Sequence, residues 1–268
     1  MSKSNLAALV RVVVVSGMIA RAALAQEPDR VAMITSASER PTTLLVGERL
    51  EYEVKFGKLR VGRGSMEVRE TADVRGRAAW HTVFAIRGGI PFFRVDDRLE
   101  SWIDTSSFTS LRFAQQTHEG RYHRERQLEF FPERATMLES GEGAQEEPTV
   151  EQPLDEGALL YYLRTLPLEV GDRYSLNRYF RPDRNPVLLE VVRRERLHVP
   201  GGTFETIVIR PTIRSSGIFS EHGQAEVWVT DDERHLMVRM TAKLPFGTLS
   251  LSLRQITNPI ATSLAEVD

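Results

Sequence analysis

The feature that most constrains the fold is an alternation of apolar and polar side chains in short segments bounded by turn residues. In the first such segment Leu50, Tyr52 and Val54 alternate with charged residues. Successive side chains of a β-strand point to opposite faces, so this pattern predicts a strand with one buried face and one solvated face. Similar segments recur along most of the chain. They predict a mainly β fold, in which a large curved antiparallel sheet forms an open sheet or a half barrel.

The alternation changes phase once, in the second predicted strand. Leu59 and Val61 carry the apolar set at odd positions, whereas Met66 and Val68 carry it at even positions. A shift by one residue would turn every later side chain to the wrong face of the sheet. We therefore predict a bulge or bend at residues 62–64, which read Gly-Arg-Gly.

One segment departs from the strand period. Asp155 is a favourable helix N-cap, and apolar residues then recur at helical spacing until Pro167. The sequence predicts one short central helix over residues 155–166, packed on the sheet through an apolar side that includes Tyr162 and Leu163. A plain packing helix is the simpler interpretation, and a lid over a ligand is the alternative.

The N-terminus has the features of an export signal. Residues 1–25 combine a basic start, an apolar stretch and a small-residue site that ends at Ala25, which predicts a signal peptide cleaved after that residue. A short membrane anchor is the alternative. Arg11 and Arg21 leave only nine residues between them, however, and a membrane span needs about 20.

The rest of the chain divides into three predicted parts. Residues 26–46 are interpreted as a flexible leader, residues 47–258 as a single antiparallel β domain, and residues 259–268 as a C-terminal tail. No later segment is apolar for long enough to cross a bilayer, so we expect no transmembrane span after cleavage. We also expect no nucleic acid partner, because the whole chain already has a net charge of −2 and the signal removes basic residues.

The number of cysteines limits the kinds of chemical site that the chain can have and helps to predict its cellular location. There are no cysteines, which excludes disulfides, thiolate metal sites, a cysteine nucleophile and a lipid-modified N-terminal cysteine. Without a lipid anchor, we expect an exported chain to be periplasmic.

Several short motifs follow one another in a fixed order along nearly all of the chain after the signal. They read Gly-Glu-Arg-Leu-Glu-Tyr-Glu-Val at 47–54, Leu-Tyr-Tyr-Leu-Arg at 160–164, Gly-Thr-Phe at 202–204 and Glu-Val-Trp-Val-Thr-Asp at 226–231. In this order they resemble the domain of unknown function 3108 family. The resemblance implies a bacterial envelope protein of mostly antiparallel β structure, and it implies no catalytic residue. The predicted architecture is also similar to that of periplasmic lipoprotein carriers, whose half-barrels hold acyl chains beneath capping helices.

The sequence carries no familiar catalytic or metal-binding arrangement. The six histidines lack zinc-site spacing, and His118 and His123 flank a turn at positions of opposite parity, which predicts that they do not share a face. No cofactor and no metal site are predicted. Asp96, Asp97 and Glu100 form a carboxylate cluster, for which a solvated, salt-bridged face is favoured over acid–base catalysis. We expect a non-enzymatic protein, and an envelope hydrolase is the least favoured function.

The candidate binding residues are Tyr122, Arg124 and Arg126 on one strand face, with Tyr162 and Leu163 on the helix. Because buried arginines need partners, the arginines are either structural ion pairs or an anion-recognising rim beside an apolar cavity.

Two functions follow from these features. The leading hypothesis is a carrier of an amphipathic, lipid-like ligand, and the second is a structural or assembly factor that binds another envelope protein through a sheet edge. An apolar cavity of about 300 Å³ or more would favour the carrier, and a solid interior would favour the assembly factor.

Overall fold

The structure is a computed structural model that describes residues 33–34, 43–90, 93–213, 225–244 and 247–258. The predicted signal peptide and C-terminal tail lie outside these residues, as does most of the predicted leader. Within them, no helix is both long enough and apolar enough to span a membrane.

Fifteen strands within the described residues form one sheet. In chain order the strands are β1 (Met33–Ile34), β2 (Arg49–Phe56), β3 (Leu59–Val74), β4 (Arg77–Ile90), β5 (Phe93–Asp104), β6 (Ser110–Glu119), β7 (Tyr122–Phe131), β8 (Thr136–Glu139), β9 (Glu146–Pro148), β10 (Arg173–Leu176), β11 (Val187–Val199), β12 (Gly202–Thr212), β13 (Ala225–Thr230), β14 (Met237–Leu244) and β15 (Gly247–Thr257).

The strand order shows how the sheet is assembled. Hydrogen-bonded neighbours run β1-β10-β11-β12-β13-β14-β15-β2-β3-β4-β5-β6-β7-β8-β9. Two blocks of consecutive antiparallel strands, β2–β9 and β10–β15, therefore join where β15 pairs with β2. Only β1 runs parallel to its neighbour, β10. The described strands do not close into a barrel, which confirms the prediction of a mainly β fold with an open antiparallel sheet.

The segment that links the two blocks carries the predicted helix. Helix α1 spans Glu156–Tyr162, follows the N-cap Asp155, and tightens into a 3-10 turn at Leu163–Thr165. The helix packs against β4 and β5. Its apolar side and the concave face of the sheet share one core, whose buried side chains include Tyr52, Val68, Phe113, Leu128, Phe130, Leu159, Ile207 and Leu253.

The fold begins before the predicted boundary at Gly47. Leu44 is buried in the core, and Met33–Ile34 pair with β10. Both belong to the segment that the sequence interprets as a flexible leader. Isolated anchoring residues such as Leu44 have no apolar periodicity around them, so the pattern places the boundary too late.

A bulge lies between β2 and β3, one residue before the predicted range 62–64. Val54 pairs with Gly62, whereas Lys55 pairs with Arg60, so that Val61 is the extra residue. Gly62 is also the register partner of Gly88 on β4. The two backbones approach so closely that a Cβ on Gly88 would lie 2.1 Å from the Val61 carbonyl oxygen. Glycine at these positions therefore permits the bend.

This close approach predicts a position-specific cost of adding one methyl group. Gly88→Ala forces β3 and β4 apart, and we expect it to lower the free energy of unfolding by roughly 1–3 kcal/mol. Gly64→Ala is the matched control on the same strand pair, because its nearest neighbouring atom would lie at an ordinary 3.5 Å. Urea denaturation of both variants measures the difference. Equal stabilities would contradict the tight contact.

Candidate functional site

Asp155 fixes the start of the helix inside the fold. Its fully buried carboxylate accepts hydrogen bonds from Ser101 Oγ at 2.6 Å and Ser110 Oγ at 2.7 Å. It also accepts from the backbone N–H groups of Gly157 and Ala158, both at 2.9 Å. Burial raises the pKa of Asp155 to about 6, against the effect of these hydrogen bonds. One side chain thereby ties the helix N-terminus to β5 and β6.

A buried ion pair holds the other end of the helical segment. Arg164 Nη1 and Nη2 donate to the two carboxylate oxygens of Glu48 at 2.7 and 3.2 Å. Arg164 Nε donates to the backbone carbonyl of Arg234 at 2.9 Å. Nearby, the Tyr161 hydroxyl donates to the backbone carbonyl of Glu67 at 3.2 Å. The helical segment is thus fastened at both ends to residues from both blocks of the sheet.

The space between helix and sheet is filled. The cavity next to Leu50, Met66 and Leu163 has a volume of about 10 Å³. That is room for a single water molecule, whereas ligand pockets measure about 300 Å³ or more. In the described part of the chain, the interior beneath the helix is solid.

The five candidate binding residues fall into two groups. Tyr162 and Leu163 are buried in the core and face the sheet. Tyr122, Arg124 and Arg126 lie along β7, and their exposure increases from the buried Arg126 through the partly buried Arg124 to the exposed Tyr122. The structure does not bring the two groups together around one cavity. Only the β7 group reaches solvent.

β7 has a strand neighbour on its outer side along only part of its length. β8 pairs with residues 128–131, and the Ser140 N–H donates to the Gln127 carbonyl. Before Gln127, no strand in the described residues pairs with this side. Backbone groups of alternate residues point to the same side of a strand, so those of His123 and Glu125 also point outward. We call residues 122–126 the open edge of β7.

Glu139, the last residue of β8, pairs with the arginines of this edge. Its carboxylate accepts from Arg126 Nε at 2.8 Å and Nη2 at 2.9 Å, and it lies 4.0 Å from Arg124 Nη2. The hydrogen bond from Arg126 holds the pKa of the Glu139 carboxyl below its usual value. Arg126 is therefore a structural ion pair. Arg124 has only the 4.0 Å contact among the described residues, and its side chain is 29% exposed.

Two carboxyl groups lie next to each other on the concave face near the β6–β7 turn. Buried Glu119 is hydrogen-bonded to Asp97 of β5, and Asp97 Oδ1 accepts from the His118 backbone N–H at 3.0 Å. Burial and the charge of Asp97 raise the pKa of Glu119 to about 8, and burial also raises the pKa of Asp97. No local pattern in the sequence marks this pair, because only the strand register brings Glu119 close to Asp97.

The predicted carboxylate cluster does not converge on one point. Asp96 Oδ1 accepts from Arg87 Nε at 2.9 Å, and Glu100 Oε1 accepts from Arg98 Nε at 2.6 Å, both on the convex face. Asp97 points to the concave face. Asp96 and Glu100 thus agree with the salt-bridged face that the sequence favoured, whereas Asp97 does not.

The prediction that His118 and His123 occupy different faces was wrong. They are register partners in the β6–β7 hairpin, and their ring centroids lie 3.9 Å apart. A two-residue turn places residues equidistant from it on the same face, whatever the parity of their numbers. In the described ranges, no group of three His, Cys, Asp or Glu side chains is arranged to hold a metal ion.

Comparisons with known proteins address the family and the fold. The family model described as "Protein of unknown function (DUF3108)" matches residues 51–254. No curated protein matches the chain. A crystal structure of a β-barrel-like protein of domain of unknown function DUF1849 from Brucella abortus is similar, with a TM-score of 0.50 and 10% identity over 82% of this chain and 98% of that chain.

Two further solved structures are less similar. A candidate lipoprotein from Parabacteroides distasonis has a TM-score of 0.35 and 10% identity over 83% of this chain and 99% of that chain. A candidate exported protein from Bacteroides fragilis has a TM-score of 0.29 and 11% identity over 83% of this chain and 100% of that chain. At such identities, the likeness to the Brucella protein supports the fold alone.

The packing of the helix predicts the effect of a charge at Leu163. Leu163→Asp places an unpaired carboxylate in the core, so we expect the free energy of unfolding to fall by roughly 3–5 kcal/mol and the Tm to fall by on the order of 10 °C. Leu59→Asp is the control, because Leu59 is 67% exposed and should change stability by less than about 1 kcal/mol. An unchanged Tm for Leu163→Asp would refute both a packing role and a lid role for the helix.

The carboxyl pair predicts a pH dependence of stability. The pKa of Glu119 is higher in the folded protein than its ordinary value of 4.5, so the folded state holds a proton that the unfolded chain releases. This contribution to stability is present in full below about pH 4.5 and is lost as pH rises to about 8. Glu119→Gln keeps the hydrogen bond without titrating. We expect the variant to match the wild type at pH 5 and to exceed its free energy of unfolding at pH 9. Parallel pH profiles in urea denaturation would argue against the raised pKa of Glu119.

Proposed function

We propose that this chain, which belongs to the family described as "Protein of unknown function (DUF3108)", is an exported, non-enzymatic envelope protein that binds another envelope protein through a sheet edge. The observation that carries the proposal is the open edge of β7, where backbone groups of His123 and Glu125 point outward without a described strand partner. An extended segment of another chain can add to such an edge through backbone hydrogen bonds.

The other end of the sheet supports this mode of binding. β1 contributes only Met33–Ile34, and it adds to the edge of β10 from a distant part of the chain. The β9 edge differs, because Glu146, Glu147 and Pro148 are all exposed there. A short strand with charges and a proline is poorly suited to pairing. The open edge of β7 has no proline, and its charged side chains would select a partner by complementarity.

The filled interior argues against a ligand held beneath the helix. Opening that space would expose apolar surface and separate the buried Arg164–Glu48 pair, which is costly. A carrier is expected to have an apolar cavity of about 300 Å³ or more, whereas a solid interior favours the assembly factor. The envelope address rests on the predicted signal peptide at residues 1–25 and on the family resemblance.

A second candidate, an amphipathic ligand, is supported by a separate observation. Phe84, Ile86 and Leu99 on the concave face are only partly buried, although they pack against the core. They lie toward the end of the sheet that carries Arg124, away from the helix. A ligand could lie on this open part of the face without entering the interior.

Lipid extraction and native mass spectrometry test this second candidate. A carrier should retain a lipid that Ile86→Asp releases and show a lipid-dependent rise in Tm. Repeated recovery of empty protein without any thermal shift would exclude it.

Crosslinking in the envelope tests the proposed protein partner. A photoreactive residue in place of His123 should give one dominant protein adduct. Glu125→Pro, introduced as well, should abolish that adduct, because proline removes an outward N–H from the edge while sparing the bonds to β6. The control position is Lys55, which lies on β2 between two paired strands. An adduct that survives Glu125→Pro, or an equal adduct from position 55, would contradict edge binding.

A further inference from the structure

We infer that the segment bound at the open edge of β7 is an extended acidic strand whose alternate carboxylates face the concave side, next to Arg124. The inference rests on the proposed function and specifies the chemistry of the partner. It is carried by the geometry of β8, which occupies the same edge further along the strand.

β8 serves as a template for the missing neighbour. Its final residue, Glu139, is the register partner of Leu128 and points to the concave side, where it reaches back along β7 to Arg126. The chain then leaves the sheet at Ser140. A segment that continued along this line would place its next concave-facing side chain opposite Arg126, from where it would reach back to Arg124. An acidic residue at that position would repeat the contact that Glu139 makes with Arg126.

The local charge favours such a residue. Arg124, Arg126 and Arg181 all act on Glu139 and lower the pKa of its carboxyl, with the Arg126 hydrogen bond as the largest cause. The charges of three guanidinium groups therefore act on one carboxylate. Glu156 also lies near enough to influence Arg126, but Arg124 stays partly exposed beyond this group. A further carboxylate would complete its pairing.

A second copy of this chain fits the edge less well. In a two-fold antiparallel pairing centred on Arg124, the two Arg124 side chains face each other. In one centred on Glu125, each Arg124 faces Arg126 of the other copy. Like charges directly opposite each other on neighbouring strands are destabilising. In these two registers the charge pattern therefore disfavours a second copy of this chain at Arg124.

Fluorescence anisotropy with short labelled peptides tests the inference on the full exported chain. The probes are extended peptides of alternating Glu-Thr, Lys-Thr and Ser-Thr. We expect the Glu-Thr peptide to bind about twofold to fivefold more tightly than the others, as for one ion pair at a partly exposed site. Arg124→Glu should reverse the preference toward the Lys-Thr peptide. Arg63→Glu is the control, because Arg63 is exposed on the paired strand β3 and should leave the preference unchanged.

Binding of the three peptides to Glu125→Pro distinguishes a failure of the inference from a failure of the proposed function. The Tm of each variant shows whether that variant is folded. Loss of Glu-Thr binding in Glu125→Pro supports both. If all three peptides bind alike to the wild type and Glu125→Pro removes them all, acidic selectivity is overturned and edge binding stands. If Glu-Thr binding survives Glu125→Pro, the attraction involves no strand pairing and both are overturned. Absence of binding by every peptide also overturns both. An unchanged preference for the Glu-Thr peptide in Arg124→Glu overturns the inference alone.

Discussion

The hydrogen-bonded carboxylate of Asp155 is the contact on which the rest of the architecture depends. A curved sheet with an apolar concave face is stable only when another element covers that face. Here the cover is a helix of seven residues, which is too short to be stable in water by itself. Asp155 satisfies the first N–H groups of the helix and binds two strands at the same time. The Arg164–Glu48 pair fixes the other end, so the helix has one possible position.

Filling the concave face in this way moves the available binding surface to the margin of the sheet. Along β7 the concave side chains change from the buried Phe130 to the exposed Tyr122. The same strand loses its outer neighbour where its side chains become charged. Backbone hydrogen-bonding capacity and positive charge therefore occur together at the open edge of β7. Neither feature requires a pocket, and together they favour recognition of an extended chain over enclosure of a small molecule.

The sequence predicted the features that depend on local pattern. The alternation from Leu50 gave the first strand, the phase change near Gly62 gave the bulge, and Asp155 gave the helix start. It also placed Tyr122, Arg124 and Arg126 on one face of β7. These signals are carried by residues close together in the chain, so a single sequence contains them.

The features that were missed depend on register between distant segments. Arg164 lies in a recognisable motif, but its partner Glu48 is 116 residues away. The Asp97–Glu119 pair and the edge-to-face contact of His118 with His123 appear only once the hairpin register is known. The open edge of β7 likewise depends on where β8 stops.

The pairing of β15 with β2 sets the order in which the sheet can be completed. Leu253 pairs with Tyr52, so the centre of the sheet joins the start of the β domain to its end. During synthesis or translocation, the β2–β9 block emerges first and waits with the β2 edge unpaired until the last strand arrives. Contacts of such long sequence separation slow folding, and an unpaired edge beside an uncovered apolar face is prone to aggregate. A truncation that removes β15 would therefore disrupt pairing in the middle of the sheet and not only at its edge.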